Sequence, residues 1–289
     1  MKTAIKWLIK LLVTGTALYI TFRKVNWPQT RAVLMHVHLF WCLIALFLFN
    51  LSQLISALRL YYFYRALSIP ISFLQNLKLY YIGMFYNLFL PGGIGGDGYK
   101  IHYLYRMSRK SLKSLFTATL LDRLQGLWGL LLLISVFIAL DYSRFPHSWQ
   151  QYTIIALLLV WLMCAIYAAL FWGIFPAYRS IFWKTAWLSL AVQICQLLAA
   201  GALLQGLGHG YATGLYLMLF LCSSIAAVIP FTIGGMGARE LVFVWGAMLL
   251  PIQVHEAIAM SLLFFLLTAI SSFIGAFLSM PEQPLVSPG

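Results

Sequence analysis

Acidic side chains are scarce: six Asp and Glu serve 289 residues, and charged residues together make up 9% of the chain, against about 25% in a soluble domain. So little charge cannot cover a water-exposed surface, which excludes a soluble enzyme or binding module. Cysteine is scarce as well. Cys42, Cys164, Cys195 and Cys222 sit in apolar runs without paired spacing, which excludes a disulfide framework and a zinc ribbon and leaves them as small hydrophobes. Walker-type phosphate loops, nucleophile elbows and His-Glu-x-x-His signatures are all missing. Their absence argues against ATP-driven pumping by this chain alone and against serine-hydrolase or zinc-protease chemistry.

What is abundant is apolar. Hydrophobic residues reach 63%, and ten Trp, sixteen Tyr and twenty-one Phe suit the two membrane interfaces. The net charge of +13 comes from nineteen Lys and Arg scattered over short connectors. That distribution fits membrane orientation and contact with anionic lipid, and no nucleic-acid partner is expected. The densest cluster is Lys100, Arg106, Arg109, Lys110 and Lys113. Lys2, Lys6 and Lys10 precede a first apolar run with no clear small-residue cleavage site before Arg23 and Lys24, so an uncleaved first span is expected.

Apolar runs at 5–22, 37–58, 114–140, 152–173, 185–205 and 257–279 each approach the roughly 20 residues a helix needs to cross a bilayer. Two more, at 72–90 and 211–229, run into Pro/Gly-rich stretches, and 241–250 is too short to cross alone. These read as broken or re-entrant helices.

The two Pro/Gly-rich stretches correspond residue by residue. Leu90-Pro91-Gly92-Gly93-Ile94-Gly95-Gly96-Asp97-Gly98-Tyr99-Lys100 matches Ile229-Pro230-Phe231-Thr232-Ile233-Gly234-Gly235-Met236-Gly237-Ala238-Arg239 at a constant offset of 139 residues. Pro, Ile, three Gly and a closing cation coincide. The expected fold is therefore an all-α polytopic membrane protein. One transmembrane domain over 1–289 holds two repeats, about 1–141 and about 150–281, with about six full spans plus two broken or re-entrant hairpins. If each half crosses three times, the cytoplasm receives Lys2, Lys6, Lys10, Arg59, Arg65, the Lys100 cluster, Arg179 and Lys184, while Arg23, Lys24, Arg31, Arg144 and Arg239 lie outside. The positive-inside rule then favours inverted repeats and a cytoplasmic N-terminus.

Glycine frees the backbone from the helical path, and a helix starting within the membrane offers N–H groups to an anion. Two matched breaks point to a substrate site between the halves. The expected hinges are Pro91, Gly92, Gly93, Gly95, Gly96 and Gly98, with Pro230, Gly234, Gly235 and Gly237. Close helix packing is the alternative use of such small residues. Asp97, Lys100 and the Arg239-Glu240 pair stand at these breaks, and Lys100 and Arg239 are suited to hold a phosphate. Interfacial anchoring is the other reading for Lys100. Asp122 and Arg123 lie about 12 Å along a helix from Ser114. Asp122 is a candidate for neutralising a cation, carrying a proton or pairing with a motif cation, and Arg123 for meeting a lipid phosphate, with a structural ion pair joining helices as the alternative. Asn87 is expected to cap freed backbone groups or contact substrate, Glu256 to supply an N-terminal helix charge, and His36 and His38 to lie at the interface. His102 is placed in a loop near Lys100, either as part of a headgroup site or as an ordinary loop residue.

Asn87 through Lys100, then Asp122-Arg123-Leu124-Gln125-Gly126-Leu127, then Pro230 through Glu240 together resemble the transmembrane, flippase-like domain of lysylphosphatidylglycerol synthases and their stand-alone relatives. The resemblance spans nearly the whole chain. It implies movement of an anionic, aminoacylated or polyprenyl-phosphate-linked lipid between leaflets of the bacterial inner membrane, carried by Asp97, Asp122, Arg123, Arg239 and Glu240. The sequence ends at Gly289 with no soluble aminoacyl-transferase segment, so synthesis of the lipid by this chain is not expected. No cofactor and no metal are expected. The expected partners are a membrane lipid and an envelope-lipid synthase or glycosyltransferase. A membrane-embedded transferase acting on a polyprenyl phosphate and a non-transporting synthase subunit are the competing readings.

Overall fold

Long apolar runs become helices because in hydrocarbon every backbone N–H and C=O must be satisfied within its own segment. The computed structural model describes residues 27–89, 95–108, 110–140, 142–144, 147–208, 213–228, 238–250 and 252–281. Ten α-helices occur among them and no strand. They are α1 (Trp27–Met35), α2 (Leu39–Ala66), α3 (Phe73–Phe89), α4 (Gly95–Met107), α5 (Leu112–Leu140), α6 (His147–Ile174), α7 (Phe182–Gly206), α8 (Thr213–Val228), α9 (Ala238–Leu249) and α10 (Val254–Phe273).

Among the described residues, five segments are long and apolar enough to cross a membrane: α2, α5, α6, the stretch Pro176–Gly206 that carries α7, and Val254–Phe277, which carries α10. They coincide with the apolar runs that begin at 37, 114, 152, 185 and 257. The run at 5–22 lies outside the described residues, as do Pro91, Gly92, Gly93, Pro230, Gly234, Gly235 and Gly237. α3 and α8, at 17 and 16 residues, fall short of the roughly 20 needed to span. Each runs into a Pro/Gly-rich stretch and is followed by a shorter helix, α4 or α9, of 13 or 12 residues. The succession long, short, shorter, long thus occurs twice, as α2 to α5 and as α7 to α10.

α2 and α7 pack most extensively of all pairs, and they run antiparallel. The His38 N–H, at the start of α2, donates to the Gly206 carbonyl at the end of α7 (2.9 Å), while Arg59, late in α2, reaches Ser189, early in α7 (2.9 Å). α3 and α4 meet at a glycine crossing. A Cβ on Gly96 would lie 1.9 Å from the Gly83 carbonyl oxygen, so only a residue without a side chain permits this approach.

Along the bundle the buried residues alternate in character. One apolar cluster holds Ala45 and Phe49 of α2, Ile134 of α5, Leu203 of α7 and Phe264 of α10. A second holds Leu60 and Phe63 of α2, Leu115 of α5 and Phe182 of α7. Between them, on the same helices, lie Gln53, Ser56, Arg59, Thr119, Asp122 and Gln193, all buried. A polar layer is therefore held between two apolar ones. Such a layer is costly in hydrocarbon unless its members are paired or wet.

Candidate functional site

The polar layer surrounds a cavity of about 310 Å³. Among the described residues, four cations, Arg59, Lys100, Arg123 and Arg239, and two carboxylates, Asp97 and Asp122, line it together with neutral polar groups. The cations exceed the carboxylates by two.

The pairings follow from helix geometry. Residues at i and i+1 do not share a helix face, so Asp122 and Arg123 take separate partners rather than each other. Asp122 receives Arg59, with Nε to Oδ1 at 2.8 Å and Nη2 to Oδ2 at 3.3 Å, a planar fork on a carboxylate. Nη1 of Arg59 donates to Ser189 (2.9 Å). Gly126, one turn after Asp122, leaves room for this guanidinium, since a Cβ there would lie 3.0 Å from Nη1. Arg123 instead bridges to Asp97. Asp97 also receives Lys100 from the next turn of α4 (2.9 Å), and the Lys100 ammonium stands 5.0 Å from the Tyr80 ring centre. Arg239 lies over two aromatic faces, Phe220 at 5.5 Å and Phe264 at 4.8 Å, and forms no salt bridge with a described residue.

Asn87 caps α4 from a distance. Its side-chain oxygen accepts the Gly96 N–H (2.8 Å), one of the four N–H groups that a helix start leaves without an internal partner. Gly95, Gly96 and Gly98 form the first turn of α4. Glu240 does not line the cavity; it is buried and accepts from Ser261 (2.9 Å). Glu256 stands in the first turn of α10, as expected of an N-terminal helix charge, and accepts from Tyr216. His102 lies exposed on α4 rather than in a loop. His36 and His38 flank the junction of α1 and α2, and among the described residues no three His, Cys, Asp or Glu converge as metal ligands would.

Two sequence readings change. Arg59, counted with the cations that set topology, is 6% exposed and occupied with Asp122. Lys100, read either as a phosphate-holding group or as an interfacial anchor, is likewise 6% exposed and lines the cavity, which leaves the anchoring reading without support. Gln53, Ser56 and Arg59 were not anticipated as site residues, yet they recur every third position near the end of the apolar run of α2. That spacing puts them on one helix face. Gln193, Gln196 and Tyr80 also line the cavity, and isolated amides and a tyrosine carry no comparable pattern.

The model of the lysylphosphatidylglycerol synthase TM region matches residues 7–186. The chain belongs to this family. No curated protein matches the sequence. The family match contains Asn87, Asp97, Lys100, Asp122 and Arg123, and also Arg59, while Arg239 and Glu240 fall beyond it. This lysylphosphatidylglycerol synthase TM-region member is an integral membrane protein, and the five apolar helices among its described residues and its family domain mark it as membrane-lipid-related.

Proposed function

We propose that the chain moves an anionic lipid between membrane leaflets, its phosphate held in the polar cavity and its tails outside. The carrying observation is the excess of two positive charges around a cavity set between apolar layers. Uncompensated charge there is expensive until an anion enters. Arg239 and Arg123 are the phosphate-facing groups: Arg239 forms no salt bridge with a described residue and Arg123 shares Asp97 with Lys100, whereas Arg59 has Asp122 to itself.

A second cavity supports an amphiphilic cargo. It measures about 510 Å³, is bordered by Trp41, Leu48, Phe137, Leu198, Leu217 and neighbours, and follows α2, α5, α7 and α8, the helices that also contribute to the polar cavity. An acyl or isoprenoid chain fits such a wall. The antiparallel run of α2 against α7 supports inverted halves, which place a substrate site near the bilayer midplane. Inner-membrane location and a cytoplasmic N-terminus belong to the same reading.

The test is reconstitution of the purified chain in liposomes with a fluorescent anionic phospholipid and a membrane-impermeant quencher. Protein-dependent exchange between leaflets is expected, reduced about tenfold or more in Arg239→Ala and Arg123→Ala, the loss of a charge-assisted contact. Unchanged exchange in both variants would remove these residues from the site. A new lipid species by mass spectrometry, with no change of leaflet, would assign transferase chemistry instead.

A further inference from the structure

The polar and apolar cavities are built on the same helix faces. On α8, Thr213 and Leu217 border the apolar cavity and Ser224 and Ala227 the polar one. Steps of four, seven and three residues keep all four on one side of the helix. On α5 the polar lining runs from Arg123 through Leu127 to Leu130, and Phe137 of the apolar cavity stands two turns further along. On α7 the two linings adjoin at Gln196 and Leu197, and on α2 Trp41 and Leu48 of the apolar cavity precede Ser56 and Arg59 of the polar one. The apolar cavity therefore lies at the end of the bundle where His38 meets Gly206, and the polar cavity lies toward the end where Arg59 meets Ser189. The two stand end to end along one groove.

The length of that groove has a counterpart in a membrane lipid. From Arg123 to Phe137 the chain advances 14 residues, about 21 Å of helix. A hydrocarbon core of about 30 Å gives the chains of one leaflet about 15 Å, and the headgroup region adds about 5–8 Å on each side. A phosphate held at Arg123 thus brings the end of a leaflet-length chain to the level of Phe137, whereas a chain half as long stops more than a turn short. Among the described residues no charged group borders the apolar cavity. Its wall also has room, since a Cβ on Gly201 would meet nothing within 4 Å. A groove left without atoms against its lining forfeits dispersion contacts, so a chain that reaches it is held there.

We propose that the apolar cavity is a tail site that gauges chain length: while the phosphate lies in the polar cavity, one leaflet-length acyl chain of the same lipid fills the apolar one. Short-chain lipids with the same phosphate occupy only the polar cavity and are held more weakly. Gly201 keeps the tail site open. This inference rests on the anionic-lipid reading above. A bystander lipid of the bilayer offers a chain of the same chemistry, and a neutral competitor separates the two sources.

The experiment gives the full chain, in detergent, a phosphatidate with a photoactivatable diazirine at the end of one palmitoyl chain, and maps the adducts by peptide mass spectrometry. Adducts are expected on Leu198, Leu217 and their neighbours in the apolar cavity. Excess dipalmitoyl phosphatidate is expected to suppress them about tenfold, and dioctanoyl phosphatidate or dipalmitoylphosphatidylcholine to suppress them little. Gly201→Leu, which fills the site, is expected to lower the adducts about tenfold while retention of dioctanoyl phosphatidate, read by native mass spectrometry, stays unchanged. Equal suppression by dipalmitoylphosphatidylcholine would show a site for any bilayer chain and overturn the tail reading. Equal suppression by dioctanoyl phosphatidate would overturn the gauging of length, and adducts confined to α6 would overturn the location. Each of these leaves the anionic reading standing if phosphatidate is retained above phosphatidylcholine. Retention of neither phosphatidate above phosphatidylcholine would overturn the anionic reading and the tail site with it. The competition in the unaltered chain needs no variant, so it holds even where Gly201→Leu fails to fold.

Discussion

Arg59 and Asp122, 63 residues apart, form a two-pronged ion pair with its shorter contact at 2.8 Å, at the level where the bundle turns from one apolar cluster to the other. The pair ties α2 to α5, and Ser189 extends it to α7. Both ions are buried, so the arrangement is stable only while it is complete.

Removing one partner is therefore costlier than removing both. Asp122→Ala strands the Arg59 guanidinium and is expected to destabilise the fold by about 3–5 kcal/mol, whereas Arg59→Met with Asp122→Leu is expected to be much milder. Thermal unfolding of purified variants in detergent checks this. A double variant no more stable than Asp122→Ala would show that the pair does more than balance charge.

The glycine crossing predicts a contrast between near neighbours. Gly96→Ala would drive its Cβ into the Gly83 carbonyl, while a Cβ at Gly98 meets nothing within 4 Å. Gly96→Ala is expected to abolish folded yield or separate α3 from α4. Gly98→Ala is expected to be neutral or slightly stabilising, because alanine favours helix by about 1 kcal/mol over glycine. Monodispersity on gel filtration and the melting temperature of each variant decide the matter.

Asn87 is predicted to act through its oxygen. Asn87→Ala should cost about 1 kcal/mol by releasing the Gly96 N–H, and Asn87→Asp, which keeps an acceptor, should lose less. A fall in exchange rate for Asn87→Ala far beyond its fall in stability would give the residue a direct role with the lipid.

Inverted halves predict opposite accessibility at equivalent connectors. In a background without Cys42, Cys164, Cys195 and Cys222, a cysteine at Lys110, between α4 and α5, should react with an impermeant reagent from the cytoplasmic side. One at Gln253, between α9 and α10, should react from the other side. Labelling of both from one face would rule the inverted arrangement out.

Parts of the site were legible because their signals are local. Charges are rare in this chain, so Asp97, Lys100, Asp122, Arg123 and Arg239 stand out in apolar surroundings, and all five line the cavity. Asn87 was legible as a cap because it precedes a helix break. Arg59 was misread: it lies at the edge of the apolar run ending at 58, where flanking cations usually set orientation. Glu240 follows Arg239 in sequence, but one residue of helix turns its side chain toward Ser261 and away from the cavity.

Composition and periodicity by themselves determined the membrane environment and the five apolar helices seen here, because hydrocarbon leaves the backbone no choice but helix and because span length is set by bilayer thickness. They also placed the two short helices that end at Pro/Gly stretches. Only the tertiary structure decided which charge meets which, that Arg59 answers Asp122 while Arg123 answers Asp97, and that the Gln193 Oε1 meets no donor among the described residues. Such pairings depend on how helices far apart in sequence are rotated against one another, and adjacent residues on a helix point in different directions.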